Sequence, residues 1–276
     1  MAKEKIKIDP NRAGWVRKVE STGVGRSMTM SHSHDELELN LVLGGRAHYL
    51  VHNRRYDLQS RTLLWLFPDQ DHILLNLSSD FSMWVVVFHR RLVREFGKDQ
   101  RYAMLQKGDP GIDWLRRLTQ EETNRLDVLM KELSEADRES PVLFNAGLRY
   151  LLLTSLEAFK KSELADSCAE VHPAVEKAVR ILQAESSIIS EEALAQRVGI
   201  SRSRLSRLFR SQTGVPLVQF RNRQRIARFF RSYGSGQRMT MLDAALTAGF
   251  GSYAQFYRVF KSFMGCTPAD HRHTRA

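Results

Sequence analysis

Two segments near the C-terminal end of the chain match one another at an offset of 51 residues, and no other feature limits the fold as tightly. In the first, Ser201 is followed by Leu205, Arg207, Leu208, Phe209 and Arg210; in the second, Ser252 is followed by Phe256, Arg258, Val259, Phe260 and Lys261. Apolar residues four, seven and eight places after the serine form one buried helical stripe, and serine is well suited to cap the start of a helix. The lead-in also corresponds. Ala195 stands four residues before Gly199, and Ala245 four before Gly249, with Gly251 making the second turn one residue longer. A small alanine followed by a glycine turn lets two helices cross closely at a steep angle, as a helix-turn-helix requires. Ser190 with Glu191 and Glu192, and Thr240 with Asp243, supply helix-start chemistry upstream. Each copy then closes on a glycine and a proline, Gly214 with Pro216 and Gly265 with Pro268. The pattern predicts helix-turn-helix units over 190–212 and 240–263, joined by a helix from Leu217 to Tyr233.

Charge points the same way. From residue 171 onward there are 17 Lys and Arg against 6 Asp and Glu, whereas the first 170 residues balance at 25 of each. The net charge of +11 therefore sits entirely in the C-terminal part, almost all of it as arginine. That asymmetry suits a polyanion-binding module attached to a neutral one. On the connecting helix, Arg221, Arg223, Arg225, Arg228 and Arg231 crowd together, with Leu217, Phe220, Ile226 and Phe229 available for its inward side. Some of these arginines are expected on phosphates and others in solvent.

The N-terminal part reads differently. Between about residues 26 and 89, short β-rich runs alternate with turn signals: Arg26–Ser31, Leu37–Leu43, Ala47–His52, Thr62–Phe67, His72–Leu77 and Ser82–His89. This predicts a small antiparallel barrel or sandwich. Helical periodicity follows, with candidates at Trp114–Ala136 and Pro141–Lys161; the second is apolar nearly all round and should be buried on more than one side. The expected division is an arm at 1–20, a barrel at 21–107, a helical dimerisation or packing segment at 108–162, a linker at 163–172 and a DNA-binding region at 173–276. The longest apolar runs, such as Met83–Phe88, are far too short to span a membrane. The charged first ten residues lack an apolar leader core. Cys168 and Cys266 fit no metal or disulfide spacing. A cytoplasmic setting is the expectation.

The segment Asp243–Lys261 (DAALTAGFGSYAQFYRVFK), followed by Gly265 and Thr267-Pro268, closely resembles the signature of the AraC/XylS family of transcription regulators. The resemblance is strong over about 172–272 and looser before it. One departure is His271-Arg272, where the family carries an aromatic residue before the arginine. The resemblance implies an α+β protein of two domains: a cupin-like antiparallel barrel as sensor and an all-α region with paired helix-turn-helix units. It also implies double-stranded DNA as partner, a small-molecule effector, activation of transcription, a homodimer, and RNA polymerase as a further contact. By position, Ser203, Ser206 and Arg207 in the first unit, and Tyr253, Gln255 and Arg258 in the second, resemble the family's base-reading residues. Arg202, Arg210, Ala254 and Lys261 complete the expected DNA face. Arginine suits guanine and glutamine suits adenine, each worth about 1–3 kcal/mol of discrimination.

His32-Ser-His34-Asp-Glu-Leu-Glu38 with Gly45 resembles the first motif of the cupin superfamily, and Pro68-Asp-Gln-Asp-His72 with Asn76 a displaced second one. Gln70 stands in place of a glycine and His72 comes one residue early. That resemblance implies a divalent transition metal held by His32, His34, Glu38 and His72, or the same residues as polar lining of a ligand pocket with Trp65, Trp84 and Phe88 as apolar walls. Core packing is the competing role for those aromatic residues. An enzyme with a DNA-binding tail, and a DNA binder of no sequence preference, are the alternatives to a ligand-responsive regulator. No nucleophile–base pair or cofactor motif favours the first of these.

Overall fold

The computed structural model describes residues 5–21, 32–96, 99–106, 114–136, 140–164, 168–184, 189–233 and 239–273. Among the described residues ten strands come in chain order, with helices between the later ones. They are β1 (Gly14–Glu20), β2 (Leu37–Gly44), β3 (Arg46–Val51), β4 (Arg54–Gln59), β5 (Thr62–Leu66), β6 (His72–Leu75) and β7 (Ser82–Phe88). Helix α1 (Arg90–Phe96), a 3-10 turn (Gln100–Gln106), β8 (Leu115–Arg117), α2 (Gln120–Ala136) and α3 (Pro141–Lys161) follow. Next come β9 (Glu163–Leu164), β10 (Cys168–Glu170) and α4 (Pro173–Ala184). The rest is helical: α5 (Glu191–Val198), α6 (Arg202–Thr213), α7 (Leu217–Tyr233), α8 (Met241–Thr247), α9 (Tyr253–Met264) and α10 (Pro268–His273). The molecule is α+β, an antiparallel β unit followed by an all-α region with two helix-turn-helix pairs, α5–α6 and α8–α9.

Two sheets form the β unit, one in the order β1-β7-β2-β5-β8-β9 and the other β10-β4-β3-β6, with antiparallel pairing throughout. Successive side chains on a strand point to opposite faces, so each sheet has two chemically distinct sides. On β2, Leu37, Leu39 and Leu41 face α2 and α3, while Glu38, Asn40 and Val42 alternate with them and face the second sheet. Between the sheets lies a core of Val42, Tyr49, Leu58, Leu64, Leu66, Leu74, Phe81 and Met83. Outside the larger sheet, α3 buries Phe144, Leu148, Leu151, Leu152 and Leu156 along one face, while Val142, Leu143 and Tyr150 stay exposed, so the burial on more than one side that its apolar pattern predicts is not met within this chain.

Several expectations need correction. The span assigned to an arm contains β1, which pairs along its full length with β7; Val16 is buried and Val19 and Trp15 pack on the core, enough apolar surface to hold a strand on the sheet edge. The proposed linker carries two strands. Glu163 and Leu164 pair with β8, and Cys168–Glu170 pair with β4, because polar side chains do not prevent a backbone from completing an open sheet edge. Trp114–Leu118 is extended rather than the first turn of a helix, and α2 begins at Gln120 after the reciprocal Thr119–Glu122 hydrogen bonds of 2.9 and 3.2 Å. Strand β4 went unpredicted because Arg54-Arg55-Tyr56-Asp57 presents more charge than apolar pattern. The expected strand Arg26–Ser31 lies outside the described residues.

Candidate nucleic-acid interface and sensor site

Both helix-turn-helix units are built as their local chemistry requires. Ser190, Ser201, Thr240 and Ser252 each cap a helix, their hydroxyls accepting from the backbone N–H groups of Ala193, Arg204, Asp243 and Gln255 at 3.0, 3.4, 3.1 and 3.2 Å. Between α5 and α6 the chain turns at Gly199 with φ of 78°, a left-handed conformation in which a side chain is strained. Ala195 and Ala245 are buried at the crossings. Leu205 and Phe209, and Phe256 and Phe260, are fully buried, with Leu208 and Val259 partly so, which turns the opposite faces of α6 and α9 outward.

On those outer faces Arg202, Ser203, Arg207 and Arg210 of α6, and Tyr253, Ala254, Arg258 and Lys261 of α9, are exposed, with Ser206 and Gln255 half-buried. Among the described residues Arg207, Arg210 and Arg258 have no hydrogen-bond or ion-pair partner. Arg202 differs, reaching Glu191 at 3.0 Å and Glu192 at 2.8 Å and so tying the start of α6 to the start of α5. Gln255 gives its side-chain oxygen to the Gly251 N–H at 2.9 Å, leaving its amide N–H₂ as the outward donor. Arg258 and Gln255 also border a cleft of about 900 Å³ whose other walls are α7 and, across it, Ser21, Leu77 and Ser79 of the β unit.

Helix α7 buries Leu217, Phe220, Ile226 and Phe229, the inward side its sequence predicts. Several of its arginines turn back onto the protein. Arg221 donates to the Ile189 carbonyl, Arg228 to that of Leu182, and the Arg225 guanidinium lies 5.8 Å from the centre of the Phe250 ring. Burial pulls Arg221, Arg223 and Arg225 below the ordinary guanidinium value. His271 sits 5.2 Å from the Phe230 ring and 5.7 Å from that of Phe260, so an imidazole packs the last helix where the resemblance led us to expect an aromatic residue.

The two units are mounted differently. Leu50, Ile73 and Leu75, on the outer face of the β10-β4-β3-β6 sheet, share one core with Val171, Val175, Leu205, Phe209 and Phe220. The Arg55 guanidinium donates to the Ser211 carbonyl at 3.0 Å, and the His172 N–H donates to the Gln212 side chain at 2.9 Å. At the end of α6, a Cβ on Gly214 would lie 2.4 Å from the Asn76 amide and 2.8 Å from the His48 ring. The second unit instead has its own core, Phe229, Ala244, Ala245, Phe250, Phe256 and Phe260, with no side chain from the β unit among the described residues.

Inside the β unit, His32, His34, Glu38 and His72 converge, each offering one ligand atom within 4.8 Å of the others. That spread is wider than the about 3.4 Å between nitrogen ligands on a tetrahedral divalent ion, so the side chains would close in on a bound cation. His34 Nε2 stands 3.0 Å and His72 Nε2 3.9 Å from the same Glu38 oxygen, Oε2. The other ring nitrogens face backbone carbonyls, Nδ1 of His34 that of Glu36 at 3.1 Å and Nδ1 of His72 that of Gln70 at 2.8 Å. This is the outer-shell pattern that orients imidazole ligands. His72 Nε2 is buried without a hydrogen-bond partner. Burial opposes ionisation of Glu38, but the His34 hydrogen bond, the charges of His72 and His34 and the Asn40 amide together bring its carboxyl down to about 2. Burial, against the pull of Glu38, takes His72 down to about 4. Burial works against a proton on His34 as well, yet the hydrogen bond and charge of Glu38, with Glu36, leave it above the ordinary imidazole value. A carboxylate beside a neutral imidazole with an inward lone pair is a fitting donor set for a divalent transition metal.

Trp65 and Trp84 do not join them. Both lie on the opposite face of the larger sheet with Phe88, packed against the helices; Trp84 Nε1 donates to Asp127 of α2 at 2.6 Å, and the Trp65 and Phe88 rings stack at 5.9 Å. On β5 and β7 these residues alternate with Leu64, Met83 and Val85, which take the inward positions. They are core residues.

A family model for an AraC-like ligand binding domain matches residues 20–152, and one for a helix-turn-helix domain matches 194–274. The probable transcription factor PqrA of Proteus vulgaris is 33% identical over 84 residues, covering 30% of this chain and 68% of that protein. The chain belongs to the AraC/XylS family. The arabinose operon regulatory protein of Escherichia coli (strain K12) is 33% identical to this AraC/XylS member over 131 residues, 45% of this chain and 42% of that one. The putative HTH-type transcriptional regulator YkgA of the same strain is 38% identical over 85 residues, 31% of this chain and 35% of that protein. These last two matches span less than half of each relative's length. No described helix is long and apolar enough to cross a membrane.

Proposed function

We propose that this AraC/XylS member is a sequence-specific DNA-binding transcription regulator, an activator whose β unit senses a small ligand. The observation that carries the reading is the pair Arg207 and Arg258, at matching positions on α6 and α9, both exposed and both without a partner among the described residues. Second helices of such units lie in major grooves, where a bidentate arginine distinguishes guanine. Helix α7 has 17 residues and spans about 26 Å, a length suited to holding two reading helices near one turn of a duplex apart. Ser203, Ser206, Tyr253, Ala254 and Gln255 fill the remaining base-facing places, with Arg210 and Lys261 toward phosphates and Arg202 holding the start of α6 against Glu191 and Glu192. The cluster of His32, His34, Glu38 and His72 is the sensor site, and the ligand it suits best is a divalent transition cation, which would supply positive charge among buried donors. Homodimerisation through α2 and α3, which leave Val128, Leu143 and Tyr150 exposed, contact with RNA polymerase and a cytoplasmic location belong to the same proposal. No catalytic step enters it.

Selection of bound duplexes from a random pool, followed by gel shift, tests the reading. Arg207→Ala and Arg258→Ala each lose specific binding while remaining folded. Unaltered specificity in both variants refutes the assignment. Affinity also falls steeply with salt, by close to one power of salt concentration for every phosphate neutralised.

A further inference from the structure

A single short segment supplies one residue of the histidine–glutamate cluster, packs on the first helix-turn-helix unit and faces the second across a cleft. On β6, His72 points into the β unit toward Glu38, while Ile73 and Leu75 point out of it into the core shared with the first unit. The period of two along a strand makes this division unavoidable. The turn that follows carries Asn76, which lies against Gly214 at the end of α6. It then carries Leu77 and Ser79, which wall the cleft opposite Arg258 of the second unit.

We propose that residues 72–79 transmit occupancy of the His32–His34–Glu38–His72 cluster by a divalent transition cation to both helix-turn-helix units. The inference rests on the regulator reading and adds its route and its effector class. A cation drawing His72 Nε2 and Glu38, now 3.9 Å apart, into one coordination shell pulls on the strand that also carries Ile73 and Leu75. Those two side chains are 2% and 1% exposed and packed in the shared core, where close packing passes a shift on to neighbours. Close-packed contacts of this kind switch between arrangements rather than deform smoothly. The backbone reinforces the link, since His32 and His72 exchange N–H···O bonds of 3.2 and 3.0 Å, tying His32 directly to β6.

The test uses the full chain and a duplex that it selects from a random pool. Titration calorimetry with Zn²⁺, Ni²⁺ or Mn²⁺ alone detects binding of at least one of them. That cation changes the dissociation constant for the duplex by about fivefold or more, and the duplex changes the cation's dissociation constant by the same factor, because coupling between two sites is reciprocal. His32→Ala, which removes a half-buried ligand at little cost in packing, abolishes cation binding and leaves duplex binding unresponsive. Ile73→Ala and the milder Leu77→Ser retain cation binding and reduce the coupling factor. Absence of cation binding overturns the inference, as does binding without any change in duplex affinity, or a coupling factor unaltered in both of the last two variants. Failure to bind any duplex, with or without cation, instead sinks the regulator reading on which the inference stands.

Discussion

The two helix-turn-helix units repeat one another in caps, turns and outward arginines, yet they owe their stability to different things. The first is incomplete by itself. Its Leu205 and Phe209 close a core with Leu50, Ile73 and Leu75, which belong to a sheet more than a hundred residues earlier in the chain. The second is closed on itself by aromatic residues, with the Phe229 and Phe256 rings 4.5 Å apart and the Phe256 and Phe260 rings 5.4 Å apart. One unit can therefore feel the state of the β unit through packing, and the other meets it across a cleft. A repeated motif specifies the same outward face twice, but what lies beneath each copy differs.

Truncation in the two cores should break the comparison most visibly. Phe209→Ala and Phe256→Ala are each expected to cost about 3–5 kcal/mol. In native-state hydrogen exchange, Phe209→Ala lowers protection in α6 and in β6 together, whereas Phe256→Ala lowers it only in α7 to α9. Loss of β6 protection in both variants would show that the second core is not independent.

The equivalent C-cap glycines sharpen the contrast. Gly214 and Gly265 both have left-handed backbones, with φ of 74° and 70°. An alanine at either position meets the cost of that conformation, about 1–2 kcal/mol. At Gly265 the new Cβ meets nothing within 4 Å, while at Gly214 it falls 2.4 Å from the Asn76 amide. Gly214→Ala should thus lower thermal stability by more than Gly265→Ala, and proteolysis should show the β unit loosened from α6 in the first variant alone. Equal losses would mean that the β unit does not bear on Gly214 in solution.

The repeat, the caps, the inward side of α7 and the convergence of His32, His34, Glu38 and His72 were all legible in the sequence, because each is written in local spacing or in a motif. The side on which Trp65 and Trp84 lie was not. A tryptophan in a strand is equally at home in a pocket or under a helix, and only the register of β5 and β7 against β2 decides between them. Edge strands β9 and β10 were hidden for a related reason: they are held by backbone pairing, which leaves no trace in side-chain pattern. The shared core was invisible because Ile73 and Leu75 read as ordinary strand residues until α4 and α6 are seen against them.

The smallest expected effect concerns what the units have in common. Ser201 and Ser252 both occupy the N-cap of a reading helix with extended backbone, and each accepts one backbone N–H, from Arg204 and from Gln255. Replacing such a serine with alanine costs about 1 kcal/mol. Because the hydrogen bond is local and exposed in both units, support from the β unit should not change it. Ser201→Ala and Ser252→Ala are accordingly expected to lower stability in chemical denaturation by similar amounts, unlike the glycine pair. A clearly larger loss for Ser201→Ala would place the influence of the β unit at the start of α6 as well as at its end. The site of coupling would then shift from Gly214 toward the Arg202–Glu191 pair that joins α6 to α5.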